Sequence, residues 1–530
     1  MRKVEVLGLT VVLFLTFGLC LRCQAAEKVL VVAQAGDVAT LDNQQLLGPS
    51  KNLLIHVYDW QWMRFGVAST PEGVLYSTRE LLPGIIERWE TRLNADGTVT
   101  YVFHVRPGQV FHSGNPITAE DFKYTLMRRA AFRRDYIHTF LGAMYSIDEN
   151  LDQHIRIINT YTFEVDAKRP MPLFWEIWMQ RTYYDSKLMR EHATDKDPWS
   201  KEFAVRGDAG SGPYVIEEWI PGVEIRLRRF DKYWDNPPYF DYIIWRIIPD
   251  VSARVLLLKK GEIDVALDLP VREILGLLGD PNIKIISAPS ANQLAIPMNA
   301  KIPPFDNINL RWALTYAFPY DEVISTVFLG HAQPNYGPIP TGFPGALAER
   351  RFKTDLDLAR QYLEKAGYSR GLTLELYYDA SYSQHEQIGI LFKKNLEKIG
   401  VNLELRPLPT GQFQTGLRER TLGMFIQEAL GWINTPEYYF NMNFNSQSSA
   451  NSNGYSNPEV DALISLALTE MDDVKRAELN ARIQELVLAD ATWIYICQPN
   501  FLLAMRRDLE GYVYQNTELH HFWLLRRTGD

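Results

Sequence analysis

Residues 96–129 constrain the fold more than any other stretch, because they predict a strand, turns and a helix in direct succession. Residues 98–105 alternate and are rich in β-branched and aromatic side chains, a pattern typical of a strand. Pro-Gly and Ser-Gly pairs then predict turns. Thr118 is suited to begin the helix, because its oxygen can accept a free backbone N–H, and the carboxylate of Asp121 matches the helix dipole. This local structure does not by itself indicate a function.

The size and charge of the chain exclude one class of partner. Its 530 residues are enough for several domains with a large core. Hydrophobic residues make up 46% and charged residues 22% of the chain, as in ordinary globular proteins. The formal net charge is −9, whereas phosphate binding requires clustered cationic charge. We therefore expect no nucleic-acid partner.

Residues 1–26 have the layout of a secretory signal peptide. Arg2 and Lys3 give a positive start, residues 6–21 are almost wholly apolar, and small residues follow near Ala26. The alternative is a retained membrane anchor, for which the apolar run is short. The mature chain would keep one cysteine, Cys497, in an apolar run that predicts a buried, inert thiol.

The order of residues 106–122, R-P-G-x-x-F-H-x-G-x-P-I-T-A-E-D-F, resembles the signature of family 5 extracellular solute-binding proteins. These proteins are the receptors of peptide-type ABC importers. Further stretches resemble the family in the same order along the chain: residues 210–214, 230–241, 255–264, 303–322 and 455–461. The resemblance covers nearly all of residues 27–526.

The resemblance implies an α/β fold, namely a two-lobed periplasmic binding protein of type II (Venus-flytrap) with an additional α+β domain inserted in the first lobe. A strand–helix–strand pattern over residues 372–405 agrees, because it favours a parallel pair with a right-handed crossover. The predicted boundaries are 1–26 for the signal peptide, 27–56, 205–290 and 500–530 for lobe 1, 57–204 for the extra domain, and 291–499 for lobe 2.

The function implied is that of a periplasmic receptor, in a Gram-negative bacterium, that captures a solute between hinged lobes and delivers it to ABC permease subunits in the inner membrane. We expect a monomer with no cofactor, no metal and no catalytic residues. The 10 histidines include no H-E-x-x-H pattern, and the adjacent His520 and His521 would point to opposite faces of a strand. A secreted hydrolase and a chaperone-like peptide binder on a similar lobed fold remain alternatives.

Two residues that the family uses to hold a dipeptide are missing. The peptide-binding branch holds the ammonium with an Asp shortly after a Trp, but residues 431–437 read GWINTPE. The dipeptide branch holds the carboxylate with an Arg after the strand that corresponds to residues 372–378, but no Arg lies between Gly371 and Arg406. A buried, unpaired terminus is costly. We therefore expect an oligosaccharide, an opine-like solute or a longer peptide rather than an ordinary dipeptide.

The candidate ligand-binding residues combine aromatic faces with polar groups. The first two match the family's ligand segment, and the third follows it. The fourth lies at the predicted connector between the lobes, the next two belong to the aromatic cluster near residue 60, and the last ends the strand that begins at residue 372. They are Trp432, Asn434, Tyr438, Gln293, Tyr58, Trp62 and Asp379. For the tyrosine and the aromatic cluster, a place in the core is the alternative.

Overall fold

The computed structural model describes residues 27–45, 50–59, 62–69, 75–132, 147–178, 182–368, 371–429, 431, 433, 435–515 and 518–529. The predicted signal peptide, residues 1–26, lies outside them, as do the candidates Trp432 and Asn434. In the part of the chain that the structure describes, no helix combines the length and the hydropathy needed to cross a bilayer.

The first large sheet has seven strands drawn from three separate parts of the chain. The first strand, Val29–Gln34, pairs in parallel with two later strands, and hairpin and C-terminal strands extend the sheet on either side. Inward-facing residues such as Leu30, Val32 and Trp245 are fully buried. Across the sheet, the strands are Ile283–Ala288, Phe501–Arg506, Val265–Ala266, Val29–Gln34, Tyr242–Ile247, Glu224–Arg229 and Tyr214–Ile220. We call this sheet and its helices the first lobe.

The second large sheet is built from the central part of the chain. Four antiparallel strands are, in order, Ala332–Pro334, Trp493–Pro499, Gln293–Pro297 and Gln427–Ala429. A parallel bridge from Phe425 to Tyr377 joins them to the pair Leu372–Asp379 and Val401–Leu408. That pair is parallel, as the sequence pattern predicts. We call this sheet and its helices the second lobe.

A third region contains residues 96–129, for which the sequence predicts a strand, turns and a helix. Four antiparallel strands are, in order, Ile86–Leu93, Val99–Val105, Thr162–Ala167 and Ile155–Asn159. The helix Ala119–Phe132 packs on them through Phe122, which stacks on Phe163. A smaller sheet joins Met63–Ser69, Leu75–Pro83 and Val513–Tyr514, and a last pair joins Leu509–Glu510 and Arg526–Arg527.

Carboxylate side chains hold the starts of two helices. Asp121 accepts hydrogen bonds from the backbone N–H and the hydroxyl of Thr118, at 2.7 and 2.9 Å. Asp355 caps the helix Leu356–Lys365, because its Oδ1 accepts a hydrogen bond from the backbone N–H of Leu358 at 2.9 Å. The remaining α-helices are Ser50–Val57, Ile147–His154, Phe174–Trp178, Ser186–Glu191, Lys201–Ala204, Val251–Lys260, Val271–Leu275, Ile308–Ala317, Tyr320–Thr326, Leu356–Lys365, Ser383–Glu397, Thr410–Glu419, Pro436–Phe444, Pro458–Ala467 and Asp473–Ala489.

The chain passes between the two large sheets at two places. Ile283–Ala288 ends in the first sheet, and Gln293 begins the second. Pro499 ends a strand of the second sheet, and Phe501 begins a strand of the first. Ser290 ties these passages together, because its hydroxyl donates to the carbonyl of Pro499 at 2.5 Å. The domain boundaries predicted from the sequence remain predictions.

Candidate ligand-binding cleft

A cavity of about 270 Å³ lies where the two lobes meet, beside both chain passages. The first lobe contributes Lys51, Asp268 and Glu518 to its lining, and the second lobe contributes Gln384 and Glu428. Three of these five side chains are carboxylates, whereas one carries an ammonium group. The junction of the lobes is therefore a polar site with an excess of negative charge.

Two helices begin at this junction, one from each lobe. Ser50–Val57 starts beside the lining residue Lys51, and Ser383–Glu397 starts beside the lining residue Gln384. The first backbone N–H groups of a helix have no partner within the helix, and the helix dipole makes this end positive.

Glu428 lies in the short strand Gln427–Ala429 and is held by its neighbours. Asn292 donates a hydrogen bond to its Oε2 at 3.0 Å, and Nε2 of His385 lies 3.4 Å from its Oε1. Burial alone would raise the pKa of Glu428, but interactions with His385 and the bond from Asn292 lower it below its usual value. Glu428 is therefore an ionised carboxylate that its neighbours hold in place at the junction of the lobes.

Glu518 has the opposite electrostatic character. Burial, reinforced by the charge of Glu428 and opposed by that of Lys51, raises its pKa to about 7. Its backbone has a φ of 54°, in the left-handed region that few residues other than glycine adopt. Nearby, burial lowers the pKa of His520 to about 3, so this imidazole is neutral, and its Nδ1 lies 2.9 Å from the hydroxyl of Tyr512.

A second cavity, of about 360 Å³, extends from Glu428 into the second lobe. It lies at the carboxyl ends of the parallel strands Leu372–Asp379 and Val401–Leu408, the usual place for ligands in parallel sheets. Apolar side chains such as Phe413 and Ile426 form part of its wall, and Tyr382 and His385 stack at one side. Because Glu428 lines both cavities, they adjoin each other.

Asp379, a candidate from the sequence, lines the second cavity but is already well hydrogen-bonded. Its Oδ1 accepts from the backbone and hydroxyl of Ser381, at 2.9 and 2.7 Å, and from the hydroxyl of Thr410 at 2.9 Å. The side chain is 2% exposed. Asp379 therefore organises the turn at the end of its strand, and a direct role in ligand binding stays a prediction.

Gln293 and Tyr438 lie in the second lobe and are almost fully buried. Nε2 of Gln293 donates to the carbonyl groups of Gly337 and Pro338, at 3.2 and 3.3 Å. Tyr438 belongs to the helix Pro436–Phe444 and packs in a hydrophobic cluster. Neither residue lines the two cavities described above. Their predicted contact with ligand stays a prediction.

The aromatic candidates Tyr58 and Trp62 are both completely buried. Trp62 lies edge-on to Phe103 and Phe122, and its indole N–H donates to the carbonyl of Thr182 at 3.3 Å. Tyr58 packs in the core of the first lobe. These contacts agree with the alternative given above, a place in the core, and the predicted role in ligand binding stays untested.

Sequence reasoning missed Lys51, Glu428 and Glu518 as functional candidates. Each stands in a segment with no motif for ligand chemistry, and the last two are far apart in the chain. Glu428 precedes Gly431 by three positions, so its closeness to the predicted ligand segment was the one available signal. In the described parts of the chain, no group of three or more His, Cys, Asp or Glu side chains is placed to hold a metal ion.

A model of bacterial extracellular solute-binding proteins, family 5, matches residues 80–451. The chain belongs to this family. It is thus the solute-binding component of an ABC importer of the peptide type, and members of the family work with permease subunits. Family members act outside the cytoplasmic membrane, as extracellular or periplasmic proteins.

Individual relatives support the same fold. The chain is similar to the glutathione-binding protein GsiB of Pectobacterium atrosepticum, with 26% identity over 81% of this chain and 83% of that protein. It resembles the structure of DppA from Helicobacter pylori in complex with the peptide STSA, with 21% identity, a TM-score of 0.78 and coverage of 94% and 98% of the two chains.

The chain also resembles the structure of MoaA from A. tumefacien R10 in complex with mannopinic acid, with 20% identity, a TM-score of 0.77 and coverage of 95% and 100%. The two-lobed α/β fold with an inserted α+β domain, predicted from the sequence, is confirmed by these likenesses.

Proposed function

We propose that this chain captures a peptide-like solute longer than a dipeptide and presents it to its permease. The observation that carries the proposal is the pair of adjoining cavities, which runs from the junction of the lobes into the second lobe. A solute that fills both cavities contacts both lobes, and binding then favours the closed arrangement.

The place where the family's dipeptide branch keeps an arginine argues against an ordinary dipeptide. After the strand Leu372–Asp379, this chain has a buried carboxylate, Asp379, that is bonded to Ser381 and Thr410. A solute carboxylate beside it would meet like charge instead of a cation. A longer solute can pass this point and place its carboxylate elsewhere.

Two relatives support a solute of this class. The curated relative is glutathione-binding, and a structural neighbour was solved with the peptide STSA. The similar structure of MoaA was solved with mannopinic acid, so an opine-like solute is the second candidate ligand. We further propose that the protein acts without catalysis, as a monomer in the periplasm of a Gram-negative bacterium, and binds no nucleic acid or cofactor.

Isothermal titration calorimetry with the exported protein tests this proposal. The probes are Ser-Thr-Ser-Ala, glutathione, the dipeptide Met-Leu, mannopinic acid and a neutral oligosaccharide. We expect micromolar binding of the longer peptides, which corresponds to about −8 kcal/mol, and at least tenfold weaker binding of the dipeptide, which is about 1.4 kcal/mol.

Three results would contradict the proposal. Tighter binding of the dipeptide would show that the missing Asp and Arg do not matter. Binding of the oligosaccharide alone would point to a sugar receptor. Mass spectrometry of the same mixtures should recover the peptides intact, and cleavage products would support the hydrolase alternative instead.

A further inference from the structure

The turn that follows the strand Val99–Val105 ties the third region to the first lobe. His112 lies in this turn, within the stretch that resembles the family signature, and its side chain is 3% exposed. Its Nδ1 lies 2.9 Å from both carboxylate oxygens of Asp208, and its Nε2 lies 2.9 Å from the carbonyl oxygen of Gly212. We propose that His112 is a doubly protonated imidazolium whose charge locks the third region onto the first lobe. This lock does not depend on which solute the protein binds.

The acceptors on both sides of the ring of His112 decide its protonation state. The carbonyl oxygen of Gly212 can only accept a hydrogen bond, so Nε2 has to carry a proton. An ionised Asp208 also only accepts, so Nδ1 has to carry the second proton. A neutral imidazole has one N–H, and its other nitrogen would turn a lone pair toward an oxygen. Both contacts are therefore satisfied only by the imidazolium.

The alternative is a protonated Asp208 that donates to a neutral ring, and the surroundings of Asp208 oppose it. Oδ1 of Asp208 already accepts from the backbone N–H of Gly210 at 2.9 Å, and hydrogen bonds to a carboxylate favour its ionised form. Nδ1 of His112 is equally far from both oxygens, as expected for an N–H shared by a delocalised carboxylate. A carboxyl proton would lie on one oxygen. The pair is therefore an ion pair with charge-assisted hydrogen bonds.

The loop that accepts these bonds is itself fixed to the first lobe. The backbone N–H of Gly212 donates to the carbonyl of Val57 at 2.8 Å. A Cβ on Gly210 would lie 2.1 Å from the same carbonyl oxygen, so the loop directly contacts the end of the helix Ser50–Val57. That helix begins at the junction cavity, where Lys51 is a lining residue. Loss of the imidazolium charge would therefore loosen the first-lobe wall of the cleft.

The lock is sensitive to pH, because a ring that loses one proton turns a lone pair toward an acceptor. We expect the lock to be intact at neutral pH and to weaken as the pH rises. Two neighbouring groups on the first lobe do not oppose this change, because both are neutral. Burial lowers the pKa of His56 to about 3, and burial raises the pKa of Tyr58 well above its ordinary value.

The charged groups on the other elements around the turn are bonded elsewhere. Asp185 accepts from Ser113 and Asn115, at 2.5 and 2.9 Å. The remaining ones are Lys187, whose Nζ donates to Asn115 at 3.3 Å, and Arg229 and Asp231, which pair with each other on either side of Phe230. The ion pair of His112 and Asp208 is thus the link that a change of pH would break.

Long-range ¹H–¹⁵N NMR of the histidine rings tests the charge, at about pH 7.5, where an ordinary imidazole is mostly neutral. In wild type, we expect both ring nitrogens of His112 to carry protons. Asp208→Asn keeps the shape of the side chain but removes its negative charge, and in that variant we expect one protonated nitrogen. His112→Gln identifies the signals of the ring by their loss.

Hydrogen–deuterium exchange measures the lock. In Asp208→Asn and His112→Gln, we expect the backbone amides of residues 208–214 and of the end of the helix Ser50–Val57 to exchange faster than in wild type. The expected factor is about tenfold or more, because a charge-assisted hydrogen bond is lost.

His104→Gln is the matched control for the exchange experiment. His104 lies in the strand Val99–Val105, and its ring contacts Glu90 and Thr162, which belong to the same sheet of the third region. The same substitution at this position should leave exchange of residues 208–214 unchanged. Equal acceleration in the control would overturn the lock, because the effect would then be a general loosening of the third region.

A wild-type ring with one protonated nitrogen would overturn the inference. Unchanged exchange of residues 208–214 in both variants would overturn the lock even if the ring is charged. If neither variant folds, wild type decides both parts: its ring should lose a proton between about pH 7.5 and about pH 9, and exchange of residues 208–214, corrected for the intrinsic rate, should rise with that loss. Absence of this coupled change overturns the inference. None of these results depends on solute binding, so a failure of the proposed function is seen separately.

Discussion

Two groups of charged side chains in this molecule, one fully buried and one partly buried, differ in how completely they are paired. In the first, Arg128 binds both carboxylate oxygens of Asp42, at 2.9 and 2.8 Å, and both side chains are 0% exposed. In the second, Glu428 and Glu518 face each other across the junction cavity without an arginine or lysine bonded to Glu518 among the described residues. The first group holds the fold together, and the second is suited to binding.

The pKa values express the same difference. Burial tends to raise the pKa of Asp42, but its bonds to Arg128 and Tyr184 lower the pKa below its usual value. At Glu518, burial and the charge of Glu428 raise the pKa to about 7. The extent of burial alone therefore does not distinguish a carboxylate that stabilises the fold from one that is available to bind a ligand. The presence of a matched, hydrogen-bonded cation does.

Breaking the paired group should have the largest effect. Arg128→Met leaves the carboxylate of Asp42 buried without its cation, and we expect a loss of about 3–5 kcal/mol in the free energy of unfolding, measured in urea. Arg92→Met is the control, because Arg92 pairs with Glu164 at the surface and is 54% exposed, so about 0–1 kcal/mol is expected there. Similar losses in both variants would remove the distinction drawn here.

Glu518, which has no bonded cation among the described residues, should contribute to the pH dependence of the stability of the ligand-free protein. The pKa of Glu518 is about 7 in the folded state against 4.5 for its reference value, so the folded protein binds the extra proton between these pH values. Its contribution to stability is therefore greatest below about 4.5 and is lost as the pH rises through 7.

We expect this loss to be on the order of 2 kcal/mol. Urea unfolding at several pH values would measure it as the difference between wild type and Glu518→Gln, which cancels the contributions of other groups. The groups that face Glu518 in the cavity are Lys51, Asp268, Glu428 and His520. A pH-independent difference would show that Glu518 is not the group that titrates.

At fixed pH, Glu518→Gln should separate stability from binding. At pH 8, we expect the ligand-free variant to be more stable than wild type by about 1 kcal/mol, because the buried charge and its repulsion from Glu428 are removed. Because Glu518 lines the junction cavity, the affinity for Ser-Thr-Ser-Ala should fall at the same time if the peptide occupies that cavity, as we propose. Thermal unfolding and calorimetry on one preparation measure both, and a variant that loses stability and affinity together would indicate a structural role for Glu518.

The sequence was sufficient for features that depend on local order. The strand Val99–Val105 and the helix Ala119–Phe132 follow directly from alternation and helix-start residues, and the parallel pairing of Leu372–Asp379 follows from the strand–helix–strand pattern. The resemblance over residues 106–122 led to the family that residues 80–451 match. The residue at which a helix starts is harder to predict, because Thr354 and Asp355 are both good caps and only the structure shows that Asp355 accepts the hydrogen bond from the backbone N–H of Leu358.

The candidate site could not be predicted in the same way, because it depends on which distant segments meet. Glu428 and Glu518 become neighbours of one cavity only after the chain has passed between the lobes at Pro499. Conversely, an aromatic such as Trp62 looks the same in a sequence whether it stacks on a solute or on Phe103 and Phe122. Periodicity reports which face of an element is buried, and it does not report what buries it.

The smallest expected effect on stability concerns Asn52, a buried amide that is compared with the hydrogen-bonded amide of Asn395. Because Oδ1 of Asn52 has no hydrogen-bond partner among the described residues, Asn52→Ala should change the free energy of unfolding by no more than about 0.5 kcal/mol. The matched control is Asn395→Ala, since Asn395 is similarly buried but donates to the carbonyl of Ala317 at 3.0 Å and accepts from Lys398 at 2.8 Å. There we expect about 1–3 kcal/mol, because a buried partner is left unsatisfied. If Asn52→Ala costs as much as Asn395→Ala, the amide of Asn52 contributes to stability although its Oδ1 accepts no hydrogen bond from the described residues; a small cost would show that a buried amide stabilises the fold only through the hydrogen bonds it makes.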